Sequence, residues 1–522
     1  MSTTHKITPA NPRLASLLSD VTRGNIKIPV FQREYVWTDE QITSLLDSIY
    51  RGYPVGSLLL WSTKEQLKHE RNVGGFKLPK VPEDYPVQYI LDGQQRLTTL
   101  YGVFNADAET ENEELAQHFN IVFLPGTGEF AHASVANPAT SIKLGNMLDT
   151  AKLLPELERF SGAERKVIAE ATEKFKDYEF PVVTIRDRTN QEVCRVFQRI
   201  NSSGTSLSTL ELLSAWTWSE RFDLRDEIAA LIDRLADKGY EDLGETQILR
   251  CLTAIVQSDI EIDSLVDANP DDLVSGMATL NEAMDATVDF LDAELKIKNI
   301  VFVPFPIMLV PLVKFFATNL KPTAEQRHQM RRWFWHCAFT ERYKAGTNTL
   351  VREDIGLMEA LANGKNVFDG LKAKVDKFFF VFSSWRINST ASKTLICMLA
   401  QHNPMSFFTG KPIDLGKTLS AYNAREFHHV YPKARLAQLG LGPAASNVLA
   451  NICFLTAEDN KAISARDPKD YFDEIPEKKK DEIFESALIP PTLRDGSVPY
   501  MKFRDDRASY LALKAEALIE NG

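Results

Sequence analysis

Two of the chain's nine histidines stand side by side, in Phe427-His428-His429-Val430-Tyr431-Pro432. Asn451 and Asn460 follow with an N-x8-N spacing, and the apolar run Ile452 to Leu455 lies between them. Hydrolysing a phosphodiester needs an activated water, a cation on the scissile phosphate and a stabilised leaving oxygen. A neutral imidazole, with an ordinary pKa of ~6.5, can take a proton from water near neutral pH, and that role falls to His429. His428 and Asn460 would hold a divalent ion, Mg2+ or Mn2+. One imidazole and one amide oxygen make a sparse shell that water must complete. Asn451 joins the catalytic set, as a residue that holds the loop through backbone hydrogen bonds more than as a ligand. Alone, a His-His pair reads as one core and one surface histidine, and the asparagines as caps and turns. The joint spacing with Pro432 favours one hydrolytic constellation.

A particular frame must position these groups. Adjacent strand residues point to opposite faces, so His428 and His429 can share a site only where their strand bends or ends. Glu426 to Tyr431 and Asn451 to Thr456 read as strands, and a helix follows, giving a strand–loop–strand–helix unit. A second group, Asp92-Gly93-Gln94-Gln95-Arg96, follows a strand at Val87 to Leu91 and opens a helix at Leu97 to Phe104. A helix N-terminus suits a phosphate, Gly93 permits close approach, Arg96 can fork onto phosphate oxygens, and Asp92 can hold a metal or orient water. Strands are also expected at Asn25 to Gln32 and Val55 to Trp61. Between them a helix opens on a Thr38/Gln41 capping box and buries Ile42, Leu45, Leu46 and Ile49. Further helices are expected along Val193 to Ile200 and from Ser208, where Glu211 completes a second capping box.

At 522 residues the chain predicts two or three domains. The composition, 44% apolar and 25% charged, is that of a globular protein. No run reaches the ~20 apolar residues of a membrane span, and the N-terminus has no signal-like region, so the expected address is the cytoplasm without a membrane partner. Cys194, Cys251, Cys337, Cys397 and Cys453 are scattered, which fits a reducing compartment and argues against a zinc ribbon. A net charge of -11 does not exclude a local basic face. Lys321, Arg327, Arg331, Arg332, Arg342, Lys344 and Arg352 cluster among Trp333, Phe334, Trp335, Phe339 and Tyr343. The favoured reading is a helix with a basic solvent face and an aromatic core face.

Three N-terminal motifs, IPVFQREYVW from Ile28, DGQQRLTTL from Asp92 and FQRINSSGTSLS from Phe197, together resemble the N-terminal half of GmrSD-type restriction proteins. That half is similar in fold to ParB and sulfiredoxin. The stretch HHVYP followed by ANICFLTAEDN resembles the HNH nuclease half of the same proteins, including the phosphorothioate-sensing SspE branch. It departs from them in lacking a Gly-Gly pair after the proline and in starting with His-His in place of Asp-His, which bears on the metal ligand more than on the base. The resemblance implies an α+β, helix-rich chain in three parts: a ParB/sulfiredoxin-like α/β domain over residues 1–220, a helical connector over 221–403, and a ββα-metal nuclease domain over 404–522. It implies a modification-dependent DNA endonuclease with a nucleoside triphosphate, GTP or ATP, hydrolysed at the DGQQR loop. Asp92, Gly93, Gln94, Gln95 and Arg96 would contact that nucleotide or its metal. Gln32 and Arg33 would lie beside it, and Asn201 and Ser203 would border the pocket. One HNH site cuts one strand, so a homodimer would account for double-strand cleavage. The alternative is a nucleotide-regulated DNA-binding protein or NTPase whose HNH segment is not catalytic.

Overall fold

The structure is a computed structural model. It describes residues 7–29, 35–64, 70–71, 73–79, 86–105, 108–110, 112–186, 188, 192–193, 196, 210, 213–214, 222–368, 370–372, 374–419 and 427–522. These fold as two compact units, 1–223 and 224–522.

In the first unit the apolar stripe of α1 (Leu14–Thr22) and the Ile42, Leu45, Leu46 and Ile49 face of α2 (Asp39–Tyr50) are buried. The Thr38/Gln41 capping box is present at the start of α2, with the Gln41 side chain accepting from the Thr38 amide at 3.0 Å. The strands are β1 (Ile7–Ala10), β2 (Ile26–Pro29), β3 (Leu58–Thr63), β4 (Glu70–Arg71), β5 (Val87–Asp92), β6 (Ile121–Leu124), β7 (Glu129–His132), β8 (Ile142–Lys143) and β9 (Val182–Arg186). Six of them form a mixed sheet in the order β1-β9-β3-β5-β2-β4, and β7-β6-β8 form a small antiparallel one. β5 runs antiparallel to β3 and parallel to β2, and it delivers Asp92 directly to the start of α3 (Gln94–Phe104). Residues Leu97, Leu100, Val103 and Phe104 of α3 are buried, as helical spacing requires.

The helices expected at 193–200 and from Ser208 fall mainly outside the described residues, as does the third motif.

The second unit begins with helices. Among them are α4 (Pro270–Leu295), α5 (Leu309–Thr318), α6 (Ala324–Phe339), α7 (Thr347–Ala362), α8 (Phe378–Phe382) and α9 (Thr390–Gln401). The aromatic face of α6 is core, with Trp333, Phe334 and Trp335 at most 1% exposed. The cations on and after it are paired inside the unit: Arg327 and Arg331 with Glu294, Arg342 with Asp354, Lys344 with Glu341 and Arg352 with Asp259. Arg332 donates to the Leu371 and Ile519 carbonyls. This segment is therefore a braced core helix.

The segments on either side of residue 404, read from sequence as connector and nuclease domain, share this one unit. β10 (Phe427–His429) pairs antiparallel with β11 (Ile452–Phe454), and α10 (Ala457–Ile463) follows, in the order expected. A last helix, α11 (Tyr500–Asn521), runs from this hairpin to α6. Its Arg507 is fully buried and donates to the carbonyls of Ala450, Ala487 and Leu488. Among the described residues no helix is long and apolar enough to cross a membrane.

Candidate functional sites in the two units

The hairpin places the histidines by simple alternation. His428 is paired with Cys453, and His429 with Ile452. Paired residues share a face, so His428 shares that of Cys453, which belongs to the core cluster holding Ile463 of α10. His429 lies on the opposite face with Phe427, whose ring meets Trp385 at 5.4 Å and Phe302 at 6.2 Å. β10 ends at His429, but that residue is still paired in register, so the two histidines leave the strand on opposite faces rather than sharing one. Asn460 lies on α10, the helix whose Ile463 packs on the His428 face, and it is exposed.

Asn451 is 0% exposed. Its side chain accepts from the Tyr431 amide at 2.8 Å and donates to the Tyr431 and Ser446 carbonyls at 3.0 Å each. Its own carbonyl accepts from Val430, and the Val430 carbonyl accepts from the Tyr471 hydroxyl at 2.6 Å. Asn451 thus fixes the end of β10 and has no surface open to a substrate. It is a positioning residue.

The half-buried His429 ring meets the Asn447 side chain, Nε2 to Oδ1, at 3.1 Å. The Asn447 Nδ2 group donates to the Trp385 carbonyl at 2.9 Å, so its oxygen must face the ring. A carboxamide oxygen only accepts, hence Nε2 carries the proton and Nδ1 is left as the basic nitrogen. Burial, with Lys433 nearby, pulls the His429 pKa down to about 4, so the ring is neutral at pH 7. Asn447 and Trp385 escaped the sequence reading because their roles depend on contacts across 18 and 62 residues.

The metal can be tested only through the chemistry of its donors. Among the described residues no group of three or more His, Cys, Asp or Glu is arranged around an ion. The imidazole of His428 and the amide oxygen of Asn460 are admissible ligands for a cation that keeps several waters and takes phosphate oxygens.

In the first unit the DGQQR turn is built as the sequence suggests, by a strand, a glycine and a helix. Gly93 sits at φ +89°, and a Cβ there would come within 2.3 Å of the Leu58 side chain. Arg96 spends its guanidinium inward. It donates to the Val55 carbonyl at 2.6 Å and to Asp92 at 3.3 Å, under Gly56, where a Cβ would lie 2.2 Å from Nη1. The Asp92 side chain remains 44% exposed. Gln94 and Gln95 are buried, and Gln95 accepts from the Val36 amide at 2.9 Å. The Tyr35 hydroxyl bonds Thr99 at 2.7 Å and its ring packs on Phe119, so the first motif is tied to the second. Burial raises the Tyr35 pKa to about 12. Tyr35 and Trp37 pack against the core. Gln32, Arg33, Asn201 and Ser203 lie outside the described residues. A cleft of about 520 Å³, lined by Ser19, Thr22, Phe104, Asn105, Asp149 and Lys152 among others, lies at the other end of α3, about 16 Å from the DGQQR turn.

Residues 14–218 match the GmrSD restriction endonuclease, N-terminal domain. That match points to a restriction-endonuclease type of function, with DNA as the substrate class. An uncharacterised protein of Methanocaldococcus jannaschii is 22% identical across 90% of this chain and 87% of its own length.

Proposed function

We propose that this protein is a modification-dependent DNA endonuclease, with the cutting site at the β10–β11 hairpin and a nucleotide-dependent sensor of modified DNA in the first unit. The observation that carries the first half is Asn451: a fully buried asparagine that clamps the strand end bearing His429, with a helix bearing Asn460 next in the chain. The match over residues 14–218 supports the second half.

In this reading Asn447 holds His429 with Nδ1 as its acceptor, and Nδ1 takes the proton from the attacking water. Lys433, which lies close enough to lower the His429 pKa, adds positive charge near the phosphate. A divalent ion on His428 and Asn460 would polarise the scissile phosphate and stabilise the leaving oxygen. In the first unit a nucleoside triphosphate, GTP or ATP, would lie against the DGQQR turn, where Asp92 is open to solvent and Arg96 holds the turn in shape.

The deciding experiment compares wild type with His429→Ala on matched plasmids, unmodified, phosphorothioated and hydroxymethylated, with Mg2+ or Mn2+ and with or without each nucleotide. Cutting by the wild type alone is expected, with DNA binding kept in the variant. Equal cutting by both removes His429 from the reaction. One observation favours the non-catalytic alternative: the two proposed ligands include no carboxylate. Cleavage that is absent under every metal would decide for it.

A further inference from the structure

The short helix α8 carries two stacked phenylalanines on the surface. Phe378 and Phe382 are 49% and 72% exposed, with ring centroids 5.0 Å apart and planes 13° from parallel. Large apolar side chains exposed together usually mark a surface that binds something. The charge around them says what kind of partner this is. Between Leu371 and Lys393 stand Lys372, Lys374, Lys377, Arg386 and Lys393 against a single acid, Asp376. Lys377 lies 5.7 Å over the Phe378 ring. The cations of α6 are consumed by carboxylates and carbonyls within the unit, whereas Lys372, Lys374 and Arg386 are exposed.

The stack is also wired to the candidate cutting site. Immediately after Phe382, the chain runs alongside the loop before β11. Ser383 accepts from the Leu449 amide, the Trp385 amide donates to the Asn447 carbonyl, and the Asn447 side chain links Trp385 to His429. Two residues, Ser383 and Ser384, separate Phe382 from Trp385, a span of at most about 11 Å between their Cα atoms. The stack is thus joined to His429 through a short stretch of chain and the Trp385–Asn447 contacts.

We propose that Phe378 and Phe382 form a stacking platform for unpaired bases of a DNA strand, with Lys374, Lys377 and Arg386 holding its phosphates as the strand enters the His429 site. Bases present π faces of any sequence to such rings, and lysines beside them meet the backbone charge. The inference takes its substrate from the nuclease reading, but its test does not require cutting.

Full-length protein carrying His429→Ala is titrated, in EDTA, with a labelled single-stranded oligonucleotide containing 2-aminopurine and with the duplex of the same sequence. Adding Phe378→Ala and Phe382→Ala should weaken single-strand binding by about tenfold or more and abolish the stacking change in 2-aminopurine emission. Duplex binding should fall less. Replacing Lys374 and Lys377 by glutamine should lower the slope of log affinity against log salt by up to about 0.7 for each phosphate that is no longer neutralised. Both rings are exposed, so the melting temperature should stay within a degree or two, which separates a binding defect from a folding defect. Single-strand binding that survives the double substitution overturns the proposal. So does a wild type that is dimeric by light scattering and becomes monomeric in the variant, since the stack would then be a contact between copies. If plasmid cutting persists in His429→Ala while the platform variants lose the strand, the cutting assignment fails and the platform stands.

Discussion

Replacing Asn451 with alanine removes three hydrogen bonds at once from a residue with no exposed surface. The Tyr431 amide and the Tyr431 and Ser446 carbonyls then lose their partner. A buried polar group left unsatisfied costs about 1–3 kcal/mol, so the sum is about 3–9 kcal/mol. Water entering the vacated space recovers part of this, which places the expected loss at about 3–4 kcal/mol. Because the two units need not unfold together, the fitting assay is site-specific: hydrogen exchange at the Tyr431 amide, followed by mass spectrometry. A loss of about 3 kcal/mol in local stability accelerates that exchange more than a hundredfold. Thermal unfolding of the full chain should show the transition of the second unit moving down while that of the first stays. Unchanged Tyr431 protection, with a stability loss under about 1 kcal/mol, would refute the positioning role. If cleavage vanished under those conditions, Asn451 would have to act on the reacting atoms.

Other substitutions test the remaining supports. Gly93→Ala forces a Cβ into Leu58 at a left-handed φ and should cost about 2–4 kcal/mol in the first unit, read as a lowered melting transition. Arg507→Met leaves the Ala450, Ala487 and Leu488 carbonyls without their donor and should destabilise the second unit by at least about 3 kcal/mol; a neutral result in urea titration would mean that water replaces the guanidinium. Burial lowers the pKa values of His336 and His402, with Arg342 and Lys514 adding to the effect. Both rings hold a proton less readily in the fold than in the unfolded chain, so their contribution is intact above the ordinary value of ~6.5 and is lost as pH falls below it, where the unfolded chain takes the proton first. The melting temperature of the second unit should drop between about pH 7.5 and about pH 5, and less steeply with both replaced by glutamine.

The parts of the site that were legible in the sequence are those set by local chemistry. The Thr38/Gln41 box, the strand–glycine–helix turn at Asp92 to Arg96 and the hairpin-then-helix order at residues 427–463 each depend on neighbours a few positions apart. What the sequence hid depends on distant partners. Arg96, expected to fork onto phosphate, also braces the turn, its guanidinium donating to the Val55 carbonyl, 41 residues earlier. Gly56 fell inside an expected strand, Val55 to Trp61, but its missing Cβ is what lets that guanidinium lie there. The basic residues around α6 suggested a charged outer face; Glu294 and Asp259 neutralise several of them from helices and turns far back in the chain. The small sheet of β6, β7 and β8 escaped notice because each strand is four residues or fewer, too short for alternation to stand out.

These distant contacts also change where the C-terminal part of the chain begins as a folded unit. Sequence resemblance begins it near residue 404, but the ring of His429 is oriented by Asn447, and Asn447 is oriented by a carbonyl at Trp385. The backbone at Ala450, beside the clamp residue Asn451, is held by Arg507 from α11, and that helix in turn accepts from Arg332 on α6 at its far end. Two sets of contacts therefore brace the β10–β11 hairpin, one from Ser383 to Trp385 and one from α11, and both belong to the same unit. Arg507 thus ties α11 to Ala450, next to Asn451, whose bonds to Tyr431 set the end of the strand that carries His429.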